Sequence, residues 1–217
     1  MNERDRTVME KNRIDVIPFQ TADTGSPSAY DMFAQEDLKN RILLINDHID
    51  EMVVDEQVMC ILRWNAEDKD LPVDKRKTIT IYINSEGGSE FDGQALIDVI
   101  RASRTKVKTV CLGMAASMAY LIYIAGHERI SFKNSCFLMH EGELALGGAT
   151  SKTKDTMKFF DDMEERTKNY ILDVTKIDNE LYEKVYKKEF WMYSQQAKEL
   201  GIVDKIIGED VDIDVLF

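Results

Sequence analysis

The sequence predicts an α/β fold with largely parallel strands. Short β-branched runs alternate with helical stretches over most of the chain, several strand runs stop at a glycine, and no internal repeat offers a different architecture.

Taken in order, residues 1–29 are polar, end in TADTGSPS and hold no sustained period, which predicts a flexible extension ahead of one folded body over 30–217. RILLIN (41–46) is a short apolar run, hence a buried strand. Met52, Val53, Val58 or Met59, and Ile61 or Leu62 follow at helical spacing, and NAEDKDLPVDKRK (65–77) is a charged loop. TITIYIN (78–84) predicts a strand broken by Ser85-Glu86-Gly87-Gly88. Phe91, Ala95, Leu96, Val99 and Ile100 then mark one helix face. VKTVCL (107–112) predicts a strand ending at Gly113, and Ala115 to Ala125 a buried helix. RISF and CFLMH are short strands joined at Lys133-Asn134-Ser135, and GELALGGAT (142–150) is glycine-punctuated and extended. A long helix capped by Thr150 or Ser151 carries Met157, Phe160, Met163, Tyr170 and Val174 as a core stripe. Asp178 is placed to cap a short helix through Leu181 and Val185, and Ser194 another that ends at Gly201.

Composition narrows the class. At 217 residues and 44% hydrophobic, with three prolines and eleven glycines, the chain is neither disordered nor collagen-like and is long enough to bury a core. Forty acidic against 28 basic residues leave nothing to neutralise phosphates in bulk, which argues against a nucleic-acid binder. Cys60, Cys111 and Cys136 sit in apolar runs without C-x-x-C or C-x-x-H spacing, so buried reduced thiols are expected, not a disulfide framework or a zinc site. MNERDRTVMEKNR holds no apolar signal segment, and the run Ala115 to Ala125 is shorter than the ~20 residues of a membrane span. A soluble, cytoplasmic protein without metal or cofactor is the expectation.

Three histidines are present. His48 lies in a polar NDHID turn and His127 follows Ala-Gly, so both read as surface residues, whereas His140 closes the strand CFLMH. Upstream, Ser117 in GMAASMA sits where a strand turns into a helix, on a tight turn with small neighbours that let its hydroxyl face a cleft. The Met118 N–H lies at the helix start, where unpaired N–H groups and the helix dipole favour negative charge. That is half an oxyanion hole, and Gly87-Gly88 at the end of the preceding strand supplies a candidate for the other half. The same residues also fit a plain reading, with Gly-Gly as a helix entry and the small residues as a packing surface.

YINSEGG (82–88), GMAASMAY (113–120) and LMHEGE (138–143) resemble motifs of the ClpP family, close there to YINSPGG, G-x-A-A-S-M-G and M-I-H-Q-P. Tyr30-Asp31-Met32-Phe33 with Arg41-Ile42-Leu43-Leu44 looks like the start of that family's body, and KELGIVDKII (198–207) is similar to its E-x-G-L-V-D ending. The resemblance covers Tyr30 to Ile207. It implies a spiral of strand–helix units, shared with crotonases, and a protruding handle helix over about 142–176. By position it implies Ser117 as nucleophile, His140 as general base, and the Gly88 and Met118 backbone N–H groups as oxyanion donors. Glu189 stands where the family has the aspartate of its triad, with Asp173 or Asp178 as substitutes. The activity implied is serine endopeptidase action on peptides or unfolded proteins inside two stacked heptameric rings.

Departures qualify these expectations. Glu86 replaces the family's proline, and Glu141-Gly142-Glu143 replaces its Gln-Pro, adding carboxylates near the cleft. Tyr82 matches an aromatic of the family's ATPase-docking pockets, but Thr80 and Ala102 fall where further aromatics are common, which puts docking of an AAA+ unfoldase in doubt. The alternatives are a catalytically silent subunit of a mixed ring and a phage-type capsid-maturation protease that needs no unfoldase. A crotonase-type acyl-CoA enzyme and a Ser-Lys signal-peptide peptidase fit less well, given Ser117 and His140.

Overall fold

The structure, a computed structural model, describes residues 29–144 and 147–217. The extension expected at the start of the chain lies, except for Ala29, outside the described residues. By its contacts the chain divides into the units Met1–Ala34 and Gln35–Phe217, and the second holds the whole sheet. Helix α1 (Ala29–Lys39) precedes β1 (Ile42–Ile45), with Arg41 at φ 59° making the turn. A π-helical turn over Val54–Val58 feeds α2 (Met59–Glu67). Then come β2 (Ile79–Ser85), α3 (Glu90–Ala102), β3 (Val107–Ala116), α4 (Met118–Ile124), β4 (Glu128–Phe132) and β5 (Cys136–Met139). The chain continues through α5 (Thr150–Val174), α6 (Asn179–Val185), β6 (Phe190–Tyr193), α7 (Ser194–Glu199) and β7 (Lys205–Ile207), followed by a 3₁₀ turn over Ile213–Leu216.

The seven described strands form one sheet, with the parallel order β1-β2-β3-β4-β7 and a branch in which β5 pairs with β3 and β6. This is the expected α/β architecture, but nothing in the hydrophobic pattern announces the branch point. Lys108 to Cys111 of β3 pair with β4, while Met114 to Ala116 pair with Cys136 to Leu138 of β5. Gly113 therefore marks a change of partner, not the end of the strand. β6 pairs antiparallel with β5, and its residues Phe190-Trp191-Met192-Tyr193 are a strand that the sequence pattern does not predict.

Local capping divides into one agreement and two corrections. Asp178 Oδ1 accepts from Leu181 N at 2.8 Å, as its position suggests. The long helix starts after Ala149 with no side-chain cap, so neither Thr150 nor Ser151 fills that role. Ser194 does not cap α7 either; its Oγ lies 2.6 Å from Phe132 O and anchors the β4–β5 turn. The expected apolar face of α3 holds at Ala95, Leu96, Val99 and Ile100, which are buried or packed against the core together with Ile97, but not at Phe91, which is exposed.

The core between sheet and helices includes Ile81, Ile83, Leu96, Ile100, Tyr120, Tyr123 and Phe137, all fully buried. A second, separate cluster joins Val110, Ile130, Ile207 and Leu216, with Tyr82, Phe132 and Val215 against it. The C-terminal 3₁₀ turn thus packs on the sheet, and Lys108 Nζ donates to Val215 O at 2.6 Å. Along α5 only Thr167 and Ile171 are buried, which leaves its first four turns without a buried residue. Arg41 reaches back to the buried Asp68 at 2.9 Å, and Thr105 donates to the same carboxylate at 2.9 Å.

Candidate active site

Three neighbouring strand ends assemble the site. β2 ends in a turn whose glycines adopt φ 105° (Gly87) and φ 151° (Gly88), values that side chains disfavour. Ser85 Oγ accepts from Gly87 N at 3.1 Å. Ile49 holds the loop from outside, donating to Gly87 O at 2.8 Å and accepting from Ser89 N at 2.7 Å. In that parallel bridge the flanking residues bond to Ile49, so the Gly88 N–H faces the opposite side. No acceptor meets it among the described residues.

Gly87 lets this loop lie against the serine turn. A β-carbon there would sit 2.8 Å from Ser117 Cβ and 2.9 Å from Met118 N. Ser117 itself has φ 53° and ψ −121°, a conformation held by three backbone hydrogen bonds. Its N–H donates to Leu138 O at 3.0 Å, and its carbonyl accepts from Tyr120 N at 3.0 Å and Leu121 N at 3.3 Å. A non-glycine residue in such a conformation costs about 1–3 kcal/mol, which the surrounding ladder must offset. As the first residue of α4, Met118 has no intrahelical acceptor for its N–H. The glycine loop and the Met118 amide thus lie next to each other, both against Ser117.

His140 follows β5 directly. The antiparallel register that pairs Met139 with Phe190 sets His140 opposite Glu189, and their Nδ1 and Oε1 atoms lie 3.2 Å apart. The imidazole is 20% exposed and the carboxylate 62%, so the ring is sheltered while its partner faces solvent. With the carboxylate on the Nδ1 side, the imidazole proton belongs there and Nε2 presents its lone pair. Nε2 is buried and has no hydrogen-bond partner among the described residues. The structure brings His140 and Glu189 together, and it leaves Ser117 Oγ and His140 unbonded. Asp173 pairs instead with Arg101 at 3.3 Å and Asp178 caps α6, so neither is free to stand in for Glu189.

The other histidines have different roles. His48 faces Glu86 at 3.7 Å with both side chains exposed. His127 Nδ1 accepts from Val107 N at 2.9 Å, a structural bond at the start of β3 that a surface reading misses. Among the described residues no three His, Cys, Asp or Glu side chains converge to hold a metal, and no helix is long and apolar enough to cross a membrane. Burial pushes the Cys111 thiol up to about 12, which removes it as a nucleophile.

Sequence reasoning misses Glu90, at the start of α3. Its carboxylate comes within 3.8 Å of where a β-carbon on Gly142 would be, two residues past His140. The signal is an acid two residues after Gly-Gly, which reads equally as a helix-dipole partner.

Known proteins resemble the chain over most of its length. It is 29% identical over 197 residues to the ATP-dependent Clp protease proteolytic subunit 1 of Bacillus cereus, covering 89% of this chain and 98% of that one. Its fold matches a ClpP1 variant from Listeria monocytogenes with a TM-score of 0.71 and 27% identity, over 85% of this chain and 99% of the other. The Clp protease family description matches residues 24–210, which takes in all three strand ends, and on that span the chain belongs to the Clp protease family.

Proposed function

We propose that this chain is a serine endopeptidase. Ser117 Oγ attacks a peptide carbonyl while His140 Nε2 takes its proton, and Glu189 holds the imidazole in the tautomer that allows this. The Gly88 and Met118 N–H groups stabilise the tetrahedral oxyanion. His140 then protonates the leaving amine, and water resolves the acyl-enzyme by the same route. The observation that carries the reading is the strand order itself. Ser117 and His140 directly follow β3 and β5 and Glu189 directly precedes β6, β5 pairs with both β3 and β6, and the buried Nε2 of His140 has no partner among the described residues.

The substrates proposed are peptides or unfolded chains, and the working form a ring-shaped oligomer. The support for assembly is the run of α5 from Thr150 to Arg166, which buries no residue in its own chain yet exposes Met157 and Phe159. Tyr82 shares its apolar cluster with the chain's own Val215 and Leu216, so docking of an unfoldase on that face forms no part of the proposal.

The missing bond between Ser117 and His140 favours a second reading, a silent subunit. Catalytic hydrogen bonds are often long before substrate binds, so one experiment separates the two. Incubation with a small fluorophosphonate, followed by intact-mass analysis, should give one adduct on the assembled wild type and none on Ser117→Ala. A folded, assembled wild type that gains no adduct supports the silent subunit and overturns the peptidase.

A further inference from the structure

The segment that follows the candidate oxyanion loop carries a carboxylate for which the chemistry above has no use. Glu90 follows Gly88 and Ser89, and so begins α3 directly after the candidate oxyanion loop. Its Oε2 lies 3.8 Å from the β-carbon position of Gly142, on the segment that leaves His140. Glu90 is therefore held between the two segments that border the candidate nucleophile. It is half-buried, no cationic side chain or hydrogen-bond donor among the described residues meets it, and its one electrostatic support is the N-terminus of α3, whose first position it holds. Burial raises its carboxyl above the usual range, and the charge of Glu164 on α5 raises it further. The helix N-terminus offsets only part of the cost of holding a half-buried acid near a second acid, and a cation seated there would offset more.

That charge does not come from a resident metal, since the described carboxylates form no such cage. The segment beyond His140 adds no cation either. Glu141 N donates to Tyr186 O at 2.9 Å, and the Tyr186 hydroxyl is raised first by burial and further by Glu164, Glu90 and Glu141 together. Glu90, Glu141 and Glu164 all act on the Tyr186 hydroxyl, and Glu90 is the one that stands two residues beyond Gly88. A peptide carbonyl seated between the Gly88 and Met118 amides places the side chain of the same residue beside that loop.

We infer that Glu90 is a specificity-determining residue, which selects lysine or arginine as the residue whose carbonyl is attacked. The inference rests on the serine-peptidase reading, and it names that enzyme's substrates as chains cut after basic residues. A lysine or arginine there gives Glu90 a charge-assisted partner, while an aliphatic side chain leaves it uncompensated and an acidic one is repelled.

The test uses two peptidyl diphenyl phosphonates that differ only in carrying a lysine or a norleucine side chain at the phosphonate residue. Adduct formation on the full assembled chain is followed by intact mass, with the small fluorophosphonate as a reporter of serine reactivity. The wild type should react with the lysine probe faster by about ten- to a hundredfold, the range of a charge-assisted hydrogen bond. The lysine-to-norleucine ratio cancels any general change in serine reactivity. It should fall to near one in Glu90→Gln and invert in Glu90→Leu. If the fluorophosphonate labels the wild type but the norleucine probe reacts as fast as the lysine probe, the inference is overturned and the peptidase reading stands. A lysine preference that survives intact in Glu90→Gln overturns it as well. If the fluorophosphonate labels nothing, the peptidase reading fails, and this inference fails with it.

Discussion

At Ser117 the backbone conformation and the proposed chemistry make opposite demands on one side chain. With φ 53° and ψ −121°, the position is one that glycine fills without strain, and the hydroxyl is present despite that cost. Ser117→Gly should therefore abolish the fluorophosphonate adduct and raise the midpoint of urea unfolding by about 1 kcal/mol of stability. Ser117→Ala should abolish the adduct without that gain. Gly87→Ala is expected to do the reverse of Ser117→Gly, costing both stability and adduct. Its β-carbon would press 2.7 Å from Ala116 O and 2.9 Å from Met118 N, and neither backbone atom can yield alone. For Glu189, 62% exposure implies solvent screening. Glu189→Gln should slow labelling by about 10–10², less than the about 10⁴ known for a buried triad aspartate.

Much of this site is legible in the amino-acid sequence, because Gly-Gly after a strand and a serine among small residues each carry a local signal. The partner of His140 is different. Its distance in sequence from Glu189 conveys nothing about contact; what joins them is the register of β5 on β6, and β6 lies hidden between a charged helix end and a polar turn. Alignment to a family pattern points to Glu189 where periodicity cannot. Glu90 escapes notice because an acid in a first helical turn has a sufficient local explanation.

Among the elements, helix ends and strand ends carry more than their sequences suggest. The α6 cap is an ordinary local device, and Asp178→Ala should lower stability by about 1 kcal/mol, read from the urea midpoint. The C-terminal 3₁₀ turn is less local. Leu216 is 9% exposed and closes the outer cluster on Val110 and Ile130, so Leu216→Asp should cost at least about 2 kcal/mol and expose that face to a hydrophobic dye. Strand β3 outruns its sequence signal for a physical reason. Glycine usually ends a strand, but Met114 to Ala116 find a second ladder in β5 that sustains the extended backbone beyond it.

Over the whole molecule, one buried and one partly buried ion pair tie stability to pH. Hydrogen bonds from Arg41 hold the Asp68 carboxyl below its usual value. Burial tends to raise Glu128, but Lys106 and Lys205 at 2.6 and 2.8 Å outweigh it and bring its carboxyl down to about 2. Both carboxylates are more acidic in the folded state than in the unfolded chain. Their stabilisation is therefore complete above the ordinary carboxylate range near pH 4 and is lost as pH falls toward 2. Urea midpoints measured across pH 7 to 2 should be flat down to about 5 and then decline. Asp68→Asn should remove about 3 kcal/mol at neutral pH, because it leaves the buried Arg41 with only the more exposed Glu67, at 3.4 Å, as counter-charge.

The branching of β3 bears on how the chain reaches this state at all. None of the described strand pairs is closed by a tight hairpin: β2 reaches β3 across α3, β3 reaches β4 across α4, and β5 waits for β6 until α5 and α6 have been made. Every ladder thus requires a large loop to close before its bonds compensate, which sets folding in the slow range of milliseconds to seconds or beyond. During synthesis β3 is complete long before β6 and β7 exist, so unpaired strand edges persist on a growing chain. Refolding by dilution from urea should lose yield steeply as protein concentration rises, because those edges can pair with other molecules first.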